Sequence, residues 1–219
     1  MEPGTVVLAV ALVIGSYLCG SIPFGVLVAR LTGGPDPRSQ GSGRTGGTNA
    51  LRTLGRRRAL VVVGGDVLKG AVPVLVARAL TGSAAVEVLC GIAAVLGSSR
   101  SIFLGFHGGR GVGTGVGTML VIQPWAVVLA TPVFIVVILL TRYVSLGSLL
   151  GSAAMVVVVL AWWLFASGDV PLAYPLYATV GCGLVWLAHA DNIERLLHGT
   201  ERKFDLGLLG RDDPAGSSS

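Results

Sequence analysis

The polar run from Arg38 to Arg58 reads Arg-Ser-Gln-Gly-Ser-Gly-Arg-Thr-Gly-Gly-Thr-Asn-Ala-Leu-Arg-Thr-Leu-Gly-Arg-Arg-Arg. It gathers the residue types that hold a phosphorylated small molecule. Glycines let backbone N–H groups approach an anion, hydroxyls donate to it, and arginines pair with it bidentately. Its candidates are Ser42, Arg44, Asn49 and Arg52. A second polar run continues into Gly108, Gly109, Arg110, Gly111 and Thr114. A glycine-rich loop that opens a helix aims N–H groups and the positive helix end at an anion. No Gly-Lys-Ser/Thr follows, so this is not a Walker loop. Asp66 and Lys69 lie three apart on one helical face inside an apolar run, where charges pair with each other or serve a site. Ser145, Ser148, His189 and Asn192 add hydroxyls, an imidazole and an amide. The plainer reading of the same residues is charged loops obeying the membrane charge rule, flexible turns and small-residue packing faces.

The elements that must position these residues are apolar helices. Hydrophobic residues make up 53% of the 219 and charged residues 12%, against about 25% charged in soluble domains. Mean hydropathy is +0.79. Composition and unbroken apolar runs point to an all-α polytopic membrane protein and away from an outer-membrane barrel. Lys occurs only at Lys69 and Lys203. The arginine excess suits carboxylate and phosphate recognition, but the Ala-, Gly- and Val-rich composition favours codon bias as its cause, so it proves nothing. Cys19, Cys90 and Cys182 have no ligand spacing and read as small hydrophobes. The start carries one charge, Glu2, so the first apolar segment reads as a retained span rather than a signal peptide.

The spacing predicts seven transmembrane helices. The first covers 5–29, kinked at Pro23, and a loop covers 30–58, with a short helix capped by Thr48 and stopped by Gly55. Further spans cover 59–80 and 84–96, and one follows the glycine run through Met119. The last three cover 125–140, 149–165 after a turn at 141–148, and 172–187. Residues 168–171 close the sixth span. Basic residues fall at alternate ends, which places the N-terminus outside and the C-terminus in the cytoplasm. Residues 1–205 read as one transmembrane domain, and 206–219 as a disordered cytoplasmic tail. All the anion-competent loops then share the cytoplasmic face. A transporter would want polar groups at mid-membrane, and only Asp66 and Lys69 offer that.

The order and spacing of these segments resemble the bacterial acyl-phosphate:glycerol-3-phosphate acyltransferases. Gly20-Ser-Ile-Pro-Phe-Gly25 resembles the family's first-helix signature. Ser42-Gly-Arg-Thr-Gly-Gly-Thr-Asn-Ala-Leu-Arg52 resembles its first motif, and Phe103-Leu-Gly-Phe-His-Gly-Gly-Arg-Gly-Val-Gly-Thr114 its second. Asp66-x-x-Lys-Gly70, Val144-Ser-Leu-Gly-Ser148 and His189-x-x-Asn-Ile-x-Arg-Leu-Leu-x-Gly-x-Glu201 follow in family order. The resemblance implies transfer of a fatty acyl group from acyl phosphate to the 1-hydroxyl of glycerol 3-phosphate in the bacterial cell membrane. The products are lysophosphatidic acid and phosphate. No cofactor, metal or nucleic-acid partner is implied.

By the same resemblance Ser42, Asn49 and Arg52 hold phosphate and position the nucleophile. Ser145 or Ser148, with His189 and Asn192, completes the site. Arg44, Lys69 and the loop Gly108, Gly109, Arg110, Gly111 and Thr114 are the phosphate contacts, and Asp66 and Glu201 are structural. Three positions depart from the family pattern: Ser98 stands where His is usual, Arg110 where Lys is usual, and Arg44 where Asn is usual. They leave open another polyol phosphate as acceptor. A small transporter or lipid-binding protein on the same scaffold is the reading from a different class.

Overall fold

A computed structural model describes residues 3–166, 170–205 and 207. The close of the sixth span falls partly, and the 206–219 tail almost wholly, outside the described residues. Ten α-helices and one 3-10 turn (Ile102–Leu104) are present among the described residues. Five helical segments are long and apolar enough to cross a membrane. They correspond to α1 (Pro3–Gly20), α4 (Arg56–Thr81), α5 (Ala84–Ser99) with the short turn after it, α7 (Pro124–Thr141) and α8 (Val144–Phe165). Two more apolar helices, α6 (Val112–Ile122) and α9 (Ala173–Ala188), are shorter. At about 1.5 Å per residue they fall short of a ~30 Å hydrocarbon core. The polar or mixed helices α2 (Phe24–Leu31), α3 (Gly47–Leu54) and α10 (Ala190–Leu197) complete the chain.

α4 is the hub, packing against α1, α2, α3, α5 and α6, while α7, α8 and α9 pack in sequence and α9 returns to α5. The α4–α6 contact is close because Gly70 has no side chain; a Cβ there would run into the Thr114 carbonyl. The main core joins Val74, Val88, Met119, Val127, Val159 and Tyr177, from six different helices. Many large apolar side chains point outward instead, among them Leu60, Leu68, Leu139, Leu140, Leu164 and Phe165. That pattern is sensible only where the solvent is lipid.

The first expected span is two helices, not one kinked helix. α1 ends at Gly20, and α2 begins after Pro23, which has no N–H with which to continue the ladder. The carbonyls freed at the break are taken up by other elements. Ser101 Oγ donates to the Ser21 carbonyl at 2.6 Å, and Lys69 Nζ donates to the Ile22 carbonyl at 3.0 Å. The short helix in the first polar loop exists, but Gly46 sits at its N-cap and no side chain caps it, so Thr48 lies inside its first turn. The break after it falls at Gly55 as expected. α8 starts at Val144. Ser145 and Ser148 therefore stand on its first turns, and the turn shrinks to Arg142 and Tyr143.

Candidate functional site

The first polar loop is folded around one amide. Asn49 Oδ1 accepts the Ser42 backbone N–H at 2.9 Å. Its Nδ2 donates to the carbonyls of Pro37 (2.7 Å), Arg44 (2.8 Å) and Gln40 (3.1 Å). A buried amide engaged in this way is a brace for the loop. It fixes the backbone from which Ser42, Arg44 and Thr45 face a common chamber, with Arg52 one turn further along α3. Arg52 is half-buried, and burial, then repulsion from Arg202, draws its guanidinium below the usual value.

The second loop ends where α6 begins. Gly111 has φ +75°, a left-handed conformation that favours glycine, and it turns the chain into the helix at Val112. Gly111, Val112 and Gly113 therefore line the same chamber at the positive end of an eleven-residue helix. The Gly109 N–H donates to the Ser98 carbonyl at 3.0 Å. Arg110 is mostly buried, and burial pushes its guanidinium down to about 10, with Asp191 opposing the shift and Arg44 adding to it. Arg110 Nε is buried without a hydrogen-bond partner among the described residues. Gly108 packs on the Ser98 carbonyl behind the chamber. Thr114 is fully buried on α6, against α4.

Asp66 and Lys69 line the chamber from α4. They form an ion pair at 2.7 Å. Lys69 thus joins the chamber wall, Asp66 and the broken first span in one contact set.

The C-terminal segment closes the remaining side. Glu201 Oε1 accepts from Ser145 Oγ (2.8 Å) and Asn192 Nδ2 (2.6 Å), and Oε2 accepts from Arg195 Nε (2.8 Å). Burial alone would raise the Glu201 carboxyl, but these hydrogen bonds outweigh it and hold it below the usual carboxylate range. Asn192 stands behind Glu201, and its Oδ1 is buried without a partner among the described residues. Phe204 donates its N–H to the Arg142 carbonyl at 2.6 Å and accepts from Arg142 Nε at 3.0 Å. Arg202 donates to the Gly41 carbonyl. Residues 201–204 therefore lace α8, α10 and the first polar loop together.

Asp191 meets three arginines: Arg195 at 3.2 Å, Arg110 at 3.3 Å and Arg44 at 3.6 Å. Burial raises its carboxyl, and the charges of Arg110, Arg195 and Arg44 more than reverse this. His189 lies in the chamber wall with Nδ1 2.7 Å from the Val185 carbonyl. A carbonyl only accepts, so Nδ1 carries the proton and Nε2 is left as an acceptor. Burial pushes the imidazole down to about 4, which makes it neutral at pH 7.

Two cavities result. The polar one has a volume of about 250 Å³ and is lined by Ser42, Arg44, Arg52, Lys69, Arg110 and His189 among others. The second has a volume of about 270 Å³ and is walled by α6, α7, α8 and α9 with Val95 of α5, almost wholly with apolar groups. Val112, Phe134 and Ser148 belong to both, so the cavities adjoin. From that junction the second cavity runs seven residues along α6 to Met119, α7 to Val127 and α8 to Met155. That is a depth of about 10 Å. Its far end meets Tyr177, whose hydroxyl is hydrogen-bonded to Thr118.

Of the residues singled out from the sequence, Ser42, Arg44, Asn49, Arg52, Asp66, Lys69, Gly109, Arg110, Gly111, Ser145, Ser148 and His189 line the polar cavity. Gly108, Thr114, Asn192 and Glu201 stand behind its wall. Asp191, Thr45 and Phe134 were not singled out. Asp191 sits inside the His189–Asn192 motif, four residues before Arg195, and that spacing was its available signal. Nothing local marks Phe134, which is one apolar residue among many on α7.

Apolar helices that expose lipid-facing side chains and enclose a cation-lined chamber define an integral, multi-pass membrane protein. The chain matches the family described as Glycerol-3-phosphate acyltransferase over residues 10–199, and it belongs to that family. It is 48% identical over 194 residues to the glycerol-3-phosphate acyltransferase of Synechococcus sp. (strain JA-2-3B'a(2-13)), covering 88% of this chain and 93% of that protein. It is similar to crystal structures of PlsY, an integral membrane glycerol 3-phosphate acyltransferase. The glycerol 3-phosphate form matches with a TM-score of 0.84 and 36% identity, and the lysophosphatidic acid form with 0.83 and 35%. Each match covers 93% of this chain and 99% of the other.

Proposed function

We propose that this chain moves a fatty acyl group from acyl phosphate to the 1-hydroxyl of glycerol 3-phosphate, releasing lysophosphatidic acid and inorganic phosphate. The observation that carries the reading is the junction of a cation-lined cavity with an apolar one at Phe134 and Ser148. Donor, acceptor and lipid product each combine phosphate or an acyl chain in a way that this pair of cavities fits. Arg44, Arg52, Lys69 and Arg110 neutralise two phosphate-bearing substrates that would otherwise repel each other. The acyl chain lies between α6, α7, α8 and α9. The glycerol hydroxyl attacks the acyl carbonyl carbon, and the bond from that carbon to the phosphate oxygen breaks. The hydroxyl proton passes to an oxygen of the departing phosphate. The cationic lining and the N–H groups at the start of α6 stabilise charge on that leaving group. Acyl phosphate is already activated, so no Ser-His-Asp triad is needed. Neutral His189 accepts a hydrogen bond at Nε2 and orients the glycerol hydroxyl. Ser42, Ser145 and Ser148 donate to substrate oxygens. Asn49, Asn192, Asp66 and Glu201 act through the groups they hold in place.

Seven crossings remain the topology that fits this reading, with α6 and α9 as the short spans. The loops carrying Ser42, Arg110, Ser145 and His189 all reach one cavity, as they must if they share the cytoplasmic face of the bacterial cell membrane. The basic loop between α2 and α4 supports that orientation. Residues 1–205 then form one transmembrane unit.

The test uses the purified protein in detergent, palmitoyl phosphate and glycerol 3-phosphate, with lipid and phosphate followed together. Equal appearance of lysophosphatidic acid and phosphate is expected. Phosphate without the lipid would mean a different polyol-phosphate acceptor. Neither product from folded protein would contradict the reading.

A further inference from the structure

Asp191 is a carboxylate placed among the arginines of a phosphate site. Its contacts to Arg195, Arg110 and Arg44, at 3.2, 3.3 and 3.6 Å, are all longer than the roughly 2.7–2.9 Å of a strong charge-assisted hydrogen bond. Arg110 also retains a buried N–H without a partner among the described residues. Arg195 holds Asp191 from the other side at 3.2 Å and is itself fixed to Glu201 at 2.8 Å. Asp191 thus holds three arginines loosely; Arg195 is fixed in place by Glu201, whereas Arg110 and Arg44 line the cavity.

We propose that Asp191 is a displaceable counter-ion that competes with the phosphate of glycerol 3-phosphate for Arg44 and Arg110 and so sets acceptor affinity. A phosphate dianion carries more charge than a carboxylate and matches two guanidinium groups at once. When it binds, Asp191 stays on Arg195, so giving up the other two arginines leaves no uncompensated charge. The same competition helps the headgroup phosphate of the lysophosphatidic acid product leave. Asp191 is a positioning residue in this scheme; it touches the arginines, not the reacting atoms. The inference rests on the acyltransferase reading above. The alternative role is structural: an acid in the first turn of α10, paired with Arg195 four residues on.

The experiment compares the unsubstituted protein with Asp191→Asn and Asp191→Ala. Steady-state kinetics with palmitoyl phosphate give KM for glycerol 3-phosphate, and calorimetry gives the affinity for inorganic phosphate without turnover. The inference predicts that both variants lower KM and tighten phosphate binding by about three- to tenfold, as for loss of partly exposed charge pairs. It also predicts a lower kcat, because the lysophosphatidic acid headgroup leaves more slowly. Unchanged or higher KM with unchanged phosphate affinity would overturn it. So would failure of both variants to fold, which would make Asp191 a brace for α10. An inactive unsubstituted protein would instead sink the acyltransferase reading, and calorimetry would still test the competition for the arginines.

Discussion

The two adjoining cavities are nearly equal in volume and are built in opposite ways. The polar one is assembled from loops and helix ends, and distant parts of the chain hold its shape: Asn49 on three carbonyls, Lys69 on the broken first span, Glu201 on α8 and α10. The apolar one lies along the bodies of four helices and keeps its space through small residues such as Gly115, Gly151 and Gly181. Charge placement is costly to get wrong, because a buried polar group without a partner loses its hydration. The polar cavity therefore needs many specific contacts. Lipid chains make no directional demands, so the apolar cavity needs only room. Substitutions in the first region should change rate and affinity. Substitutions in the second should change which chains are accepted.

The sharpest contrast is expected at Arg110. Arg110→Gln keeps polarity and similar length but removes the charge, and kcat/KM should fall by about a hundredfold or more for donors of every chain length. A loss confined to long-chain donors would break the contrast. Gly181→Leu probes the other side. A Cβ at Gly181 meets only the Tyr177 ring and hydroxyl, at ordinary contact distance, so the helix tolerates it while the added side chain fills the cavity. Palmitoyl phosphate should lose about tenfold in kcat/KM, the scale of a small hydrophobic misfit, with acetyl phosphate, too short to reach Gly181, little changed. A uniform loss would place the chain elsewhere.

The smallest effect concerns pH. His189 titrates near 6.5 when free and near 4 in the fold. Between those values the unfolded chain binds a proton that the folded one does not, so stability falls as pH drops through that window. The depressed carboxyls of Asp191 and Glu201 add a further loss at lower pH, below the ordinary carboxylate range and outside the His189 window. Thermal unfolding from pH 7.5 to 4 should show the His189 decline, and His189→Gln should flatten it. A curve that His189→Gln leaves unaltered would remove the buried neutral imidazole from the account.

Much of the polar cavity was legible because its residues sit in short local runs. Arg44, Arg52, Arg110, Ser145, Ser148 and His189 stand out by type against an apolar background. The Asp66–Lys69 pair follows from helical spacing alone. The break at Ser21–Pro23 was readable only as a kink, because its stability depends on Ser101 and Lys69, far along the chain. Asn49 was legible as a polar residue but not as a loop brace, since its partners are carbonyls that carry no side-chain signal. Phe134 and the apolar cavity were invisible. Their meaning comes from how α6, α7, α8 and α9 pack, and one apolar residue on a lipid-facing helix looks like the next. α6 and α9 enter the seven-crossing reading through charge alternation, since by length they fall short of a span.

The central claim is that one substrate occupies both cavities at once, bent neither around the outside of the bundle nor along the lipid face of α1. A crystal structure with lysophosphatidic acid bound tests it most directly. The account predicts the phosphate among Arg44, Arg52 and Arg110, and the chain passing Phe134 and Ser148 to run between α6 and α9 toward Tyr177. A chain lying outside that four-helix cavity, with the phosphate still on the arginines, would contradict it.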